Sequence, residues 1–223
     1  MAADTRRLTI LSSEEIAALY DVPKFNDDDR RLYFDLSAAE RDAVYRVHTT
    51  AAAIHLALQL GYFKAKRRFF VYEPDNVADD LAYVAKHYSE GKDVASFKAL
   101  SKPTRLEQQK IILQLFNYRL ADQAAKDELE QKVQRFAMLS TQPIYIMREL
   151  LHYLESQRIV IPGYTFLQDM VGRAVTCERN RITELLAQAL LPATKEQLDA
   201  LLQADEQVYR ITLLSGDFLG SLI

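Results

Sequence analysis

The sequence is short of residues that break helices. Six glycines and six prolines among 223 residues leave little room for irregular loops and point to long helices joined by short turns. Strand signals are as scarce. Only Arg68–Tyr72 and Ile159–Ile161 are short runs rich in β-formers. No apolar run reaches the roughly 18 residues of a membrane-spanning helix, and the opening MAADTRRLTILSSEE lacks the apolar core of a secretory signal. A single cysteine, Cys177, excludes an internal disulfide and suits a reducing, cytoplasmic setting.

Recognisable chemistry is missing as well. There is no P-loop, no GxGxxG and no GxSxG. His48, His55, His87 and His152 share no metal-ligand spacing with one another or with Cys177. Cys177, beside Glu178 and Arg179, carries no nucleophile signature. The aspartates 27–29 admit a metal reading but lack the glycine and distal glutamate of a calcium loop. Acids favouring the positive end of a helix explain them more simply. No cofactor, no metal and no enzyme activity are expected. A formal net charge of −3 gives no global attraction to nucleic acid, so DNA binding would need a local basic face.

What is present is a helical pattern around one stretch, Pro143 to Thr176. Pro143 suits a first helical position, and Ile144, Met147, Leu151 and Leu154 recur on one face. Ile159–Gly163 ends that helix, with Pro162 forcing an extended residue before it. Thr165 and Gln168 then read as a capping box for a second helix, whose buried face is Met170, Val171, Ala174 and Val175. Helix, turn, helix is a DNA-binding layout, and equally a common way to pack two helices.

The rest reads as further capped helices. Ser12–Glu15 opens one that ends near Pro23, Ser37 with Glu40 opens another, and Thr49 or Thr50 opens a strongly apolar one ending near Gly61. Next comes YFKAKRRFF, in which Lys64, Lys66, Arg67 and Arg68 sit among four aromatics with no acid nearby. It is either a phosphate-contacting patch or the solvated basic end of a helix. Pro74–Tyr88 is a helix closed by Gly91. Val94–Leu100, a turn at Ser101–Pro103, and a helix capped by Thr104 with Glu107 make a second helix-turn-helix-like unit. Lys98, Lys102 and Arg105 gather at its turn, where a helix N-terminus and cations together favour phosphate. Thr104 reads as a cap, and Arg105 as the better contact. A mixed-charge helix spans Ala121–Leu139, Pro192 breaks the long helix before it, and helices over 194–203 and 205–214 precede an irregular tail. The fold class is all-α, a multi-helix array, expected as units 1–120 and 121–214 with the tail 215–223.

The segments 58–70, 101–119 and 143–181, with the opening LTILSSEEIAALYDVPKFN, resemble the N-terminal region of Tn3-family transposases over about residues 8 to 213. The resemblance implies an all-helical region that recognises transposon terminal inverted repeats through helix-turn-helix-type units during DNA transposition. It implies double-stranded DNA as partner and no catalysis here, because that family's acidic triad lies on a downstream domain with no counterpart in these residues. By motif match it places contacts at Lys64–Arg68, Lys102–Arg105 and Tyr164–Gln168, including Tyr164, Thr165 and Gln168. After Val208–Leu214 the family continues with a lysine-containing stretch. SGDFLGSLI stands here instead, which suggests a truncated or remnant transposase.

Two functions compete. In the first, the turns meet a duplex, and Arg173, Arg179 and Arg181 clamp phosphates while a few residues at the start of a recognition helix read bases. In the second, the chain is a non-catalytic helical scaffold for another protein or for self-association, which the net acidity suits better. No membrane partner is expected.

Overall fold

The computed structural model describes residues 8–88, 100–190, 194, 196 and 199–200, and the backbone of 204–205 and 208–209. The fold is all-helical. Its elements are α1 (Ser13–Tyr20), α2 (Asp27–Tyr33), α3 (Ala38–Tyr45), α4 (Thr50–Lys66), a 3-10 turn (Pro74–Val77) leading into α5 (Ala78–Tyr88), α6 (Lys102–Phe116), α7 (Gln123–Leu139), α8 (Pro143–Ser156) and α9 (Tyr164–Ala189). Extended pairing among the described residues is minimal. Arg119 and Ile159 form one parallel bridge, and β1 (Ala204–Asp205) pairs antiparallel with β2 (Val208–Tyr209). That pair corrects the helix expected from Asp205: Val208 and Tyr209 are β-formers. Lys98, Gly91, the tail and, apart from the non-helical Leu100, the helix expected over 94–100 lie outside the described residues.

Three helices start where their local chemistry demands. Ser12 and Glu15, Asn26 and Asp29, and Ser37 and Glu40 each form a reciprocal capping box. The aspartates 27–29 therefore occupy the first turn of α2. Asp27 pairs with Arg30 at 2.9 Å and Asp28 with Arg31 at 3.5 Å.

Three boundaries differ from the local signals. α4 does not stop at Gly61. It runs to Lys66 and closes on Arg67 in the left-handed conformation, φ 53°. Gly61 serves packing instead, because a Cβ there would lie 2.3 Å from the Phe34 ring. α6 is capped by Ser101, whose hydroxyl accepts from the Thr104 N–H, so Thr104 sits inside the first turn. α9 begins at Tyr164, with the Gly163 carbonyl taking the Phe166 and Leu167 N–H groups, so Thr165 is helical and does not cap.

The described residues group into two compact units that divide between Val175 and Thr176. The first holds two apolar cores. One surrounds α4, whose Ile54, Leu58, Tyr62 and Phe63 pack with Phe34, Val84 and Ile112. The other gathers Leu129 and Val133 of α7, Met147 and Leu150 of α8, and Leu167 and Val171 of α9, with Leu11 added from before α1. The Arg119–Ile159 bridge joins these parts, and Val160 inserts into the first core.

Candidate nucleic-acid interface

The cations of residues 64–68 turn inward. Lys64 donates to the Asp35 carbonyl at 2.8 Å and pairs with Glu40 at 3.3 Å, with both side chains mostly buried. Lys66 donates to the Ala18 carbonyl at the end of α1. Arg67 returns a bond to the Phe63 carbonyl and lies 6.0 Å from the Tyr118 ring. The Arg68 guanidinium lies 4.2 Å over the Tyr20 ring, with its Nε and Nη1 shut from water and lacking hydrogen-bond partners. Burial lowers the pKa of Arg68 from its usual value and pushes the Tyr20 phenol up to about 12. The patch that reads as a free basic face is thus mostly spent on internal contacts.

The start of α9 is also engaged. The Leu11 N–H donates to the Tyr164 hydroxyl at 3.3 Å, Gln168 donates to the Leu8 carbonyl at 2.9 Å, and Tyr20 meets Tyr164 edge-on at 6.0 Å. Tyr20 also donates to the Pro162 carbonyl at 3.0 Å. The segment before α1 and α1 itself therefore lie against the turn and the first residues of the second helix. Thr165 remains exposed. Arg173 is exposed and pairs with Glu130 at 3.0 Å. Such a surface pair contributes little and exchanges readily for a phosphate. In the second unit, Arg181 is held by Glu178 through bonds of 2.6 and 2.8 Å. The Arg179 side chain is exposed and has no ion pair among the described residues.

Around the N-terminus of α6 the arrangement is different. Lys102 and Arg105 have no ion pair among the described residues, and Arg105 Nε is buried without an acceptor. Both line a cleft of about 380 Å³ between α4 and α6, closed on the far side by residues 70–73. Sequence reasoning found the two cations. It missed Val71, Leu106 and Gln109, which line the same cleft. Lys102, Arg105 or Leu106, and Gln109 follow the three-then-four spacing of one helix face, so that part was legible. Val71, on an extended segment, carried no such signal.

The family model described as "Domain of unknown function (DUF4158)" matches residues 10–174. The chain belongs to that family. The DUF4158 match spans both cores of the first unit and ends within α9. No curated protein matches the chain. Within this DUF4158 chain no group of three or more His, Cys, Asp or Glu suited to a metal ion occurs among the described residues. No described helix is long and apolar enough to cross a membrane.

Proposed function

We propose that this chain is a DNA-binding module of a Tn3-family transposase, recognising the terminal inverted repeats of its element during transposition. The observation that carries the reading is the three-helix arrangement α7–α9. α9 buries Leu167, Met170, Val171 and Ala174 against α7 and α8 while leaving Thr165 and Arg173 outward, the division of labour expected of a recognition helix. Arg179, exposed on α9 and without an ion pair among the described residues, is a further cation available to phosphate. Residues 64–68 act in this reading as internal supports, so their loss acts through stability before affinity.

The test is binding to a labelled duplex carrying the terminal inverted repeat, against a scrambled duplex, at low and moderate salt. Preference for the repeat is expected, with affinity falling steeply as salt rises. Arg173→Ala and Arg179→Ala should each weaken binding and lower the salt slope by about one. Equal binding of both duplexes, or a slope unchanged in both variants, rejects the reading.

A second reading, a helical interaction scaffold, is favoured by one feature. Ile182, Leu185 and Leu186 of α9 are exposed at helical spacing, by 38, 51 and 52%. An apolar interface there would be insensitive to salt, which separates it from phosphate contact.

A further inference from the structure

The cleft between α4 and α6 combines features that neither core packing nor duplex contact requires. One wall is a ridge of α6, with Lys102, Arg105 and Gln109 in register. α6 is held to α4 by Gln108, which is buried and donates to the Ala52 carbonyl at 2.7 Å. On the floor, His55 Nδ1 and the Tyr72 hydroxyl lie 2.8 Å apart, and Gln59 is fixed by bonds to both backbone groups of Phe70. The base of the cleft is therefore held in place from both sides.

Its mouth is open and amphiphilic. Val71 is 77% exposed and Leu106 47% exposed, and both line the cleft. Apolar side chains left in water beside a concavity mark a binding site more often than scattered ones do. Beside them stand two cations, Lys102 and Arg105, with no carboxylate partner among the described residues. One has a buried Nε with no acceptor, so its charge is solvated from the guanidinium tip alone. A guanidinium so placed gains from an anion that offers oxygen acceptors to the tip, and the N-terminus of α6 adds its own attraction for that anion. Glu73, the one acid of the lining among the described residues, stands in the segment facing α6 and supplies an acceptor for hydroxyl groups. The volume, about 380 Å³, lies in the range of small-ligand sites.

We infer that this cleft binds a nucleotide. The phosphate meets Lys102 and Arg105, the flat base lies between Val71 and Leu106, and Glu73 takes ribose hydroxyls. The inference does not rest on the duplex reading, since duplex contact is assigned to α9. The nucleotide is either free or an unpaired residue of a strand, and the two sources share the same chemistry.

The experiment is calorimetric titration of the full chain with adenosine 5′-monophosphate, with adenosine and inorganic phosphate as half-probes, and with a single-stranded oligodeoxyadenylate as the strand-borne form. The monophosphate should bind more tightly than either half. Arg105→Ala and, separately, Val71→Glu should each weaken it by about tenfold or more, with thermal melting confirming that each variant is folded. Val71 is mostly exposed, so its variant leaves the core intact. Binding of the monophosphate alone identifies a free nucleotide, and binding of the oligonucleotide alone identifies a strand residue. Absence of binding by both overturns the inference, as does binding that both variants retain. Duplex binding of the Val71→Glu variant, measured alongside, should be unchanged, so failure here and failure of the duplex reading remain distinguishable.

Discussion

Asp80 shows how much of this fold depends on single buried polar atoms. It is 4% exposed and accepts from Arg30 Nε and from the Tyr62 hydroxyl, each at 2.8 Å. Burial and the nearby Asp80 carboxylate drive the Tyr62 phenol well above its usual pKa. The site is satisfied only while all three groups are present. Asp80→Ala leaves a buried phenol without an acceptor and an arginine with only the exposed Asp27 and Asp79. Removing one partner of such a set costs about 3–5 kcal/mol. Asp80→Asn keeps an acceptor for Tyr62 and should lose less. Urea denaturation of both variants checks this, and an alanine variant within about 1 kcal/mol of wild type would show that the network relaxes without it.

At the scale of elements, α1 is a clasp. Lys66 and Arg68 hold it from the end of α4, while Pro162, Tyr164 and Arg148 hold it from α8 and α9. The clasp has a pH signature. The Tyr20 phenol is pushed up to about 12 by burial, against an opposing pull from Arg68, and an unfolded tyrosine titrates near 10. The folded state therefore favours the neutral phenol. Its contribution is complete below about pH 10 and is lost as pH rises towards about 12. Tyr153, also raised to about 12 by burial and by its bond to Glu128, acts in the same direction. Tyr20→Phe should thus lose less stability than wild type between about pH 8 and about pH 11, measured by urea midpoints. An equal loss in both proteins would sink the clasp as the source.

The same helix explains what was legible in the sequence. Caps at Ser12 and Ser37 involve partners three residues away, so local pattern found them, whereas at α2 it found only the acids of the first turn and not the Asn26–Asp29 box. The fate of residues 64–68 was hidden, because the partner of Lys66 lies 48 residues away and that of Lys64 29. Nothing in YFKAKRRFF distinguishes a basic face meeting phosphate from one meeting carbonyls and a tyrosine ring. Gly61 misled for a related reason. Glycine signals both a helix end and a close approach, and only the Phe34 ring decides between them. On the candidate interface, Lys102 and Arg105 were found because helix starts are local, whereas Val71 needed the third dimension.

At the scale of the whole chain, the sequence reads as units 1–120 and 121–214 followed by a tail. The compact units divide instead between Val175 and Thr176, and within the first unit α2–α6 feed one core and α7–α9 the other. Yet the chain crosses between them at both ends. Leu11, Ile16 and Leu19 pack into the second core although they precede α2, and Val160 enters the first although it follows α8. Arg119 and residues 158–160 exchange backbone hydrogen bonds of 2.9 Å. Cutting at residue 120 would strip the second core of α1 and the first of Val160, exposing apolar surface on both pieces at about 25 cal/mol per Å². The full chain should therefore unfold residues 8–175 in one cooperative transition, shifted alike by Leu58→Ala in the first core and Leu150→Ala in the second. Fragments 1–120 and 121–223 should each give broad, weakly cooperative melts by circular dichroism and should regain a sharp transition when mixed. Two sharp, independent melts from the separate fragments would show instead that α1 and Val160 are passengers, and that the cores are stable without each other.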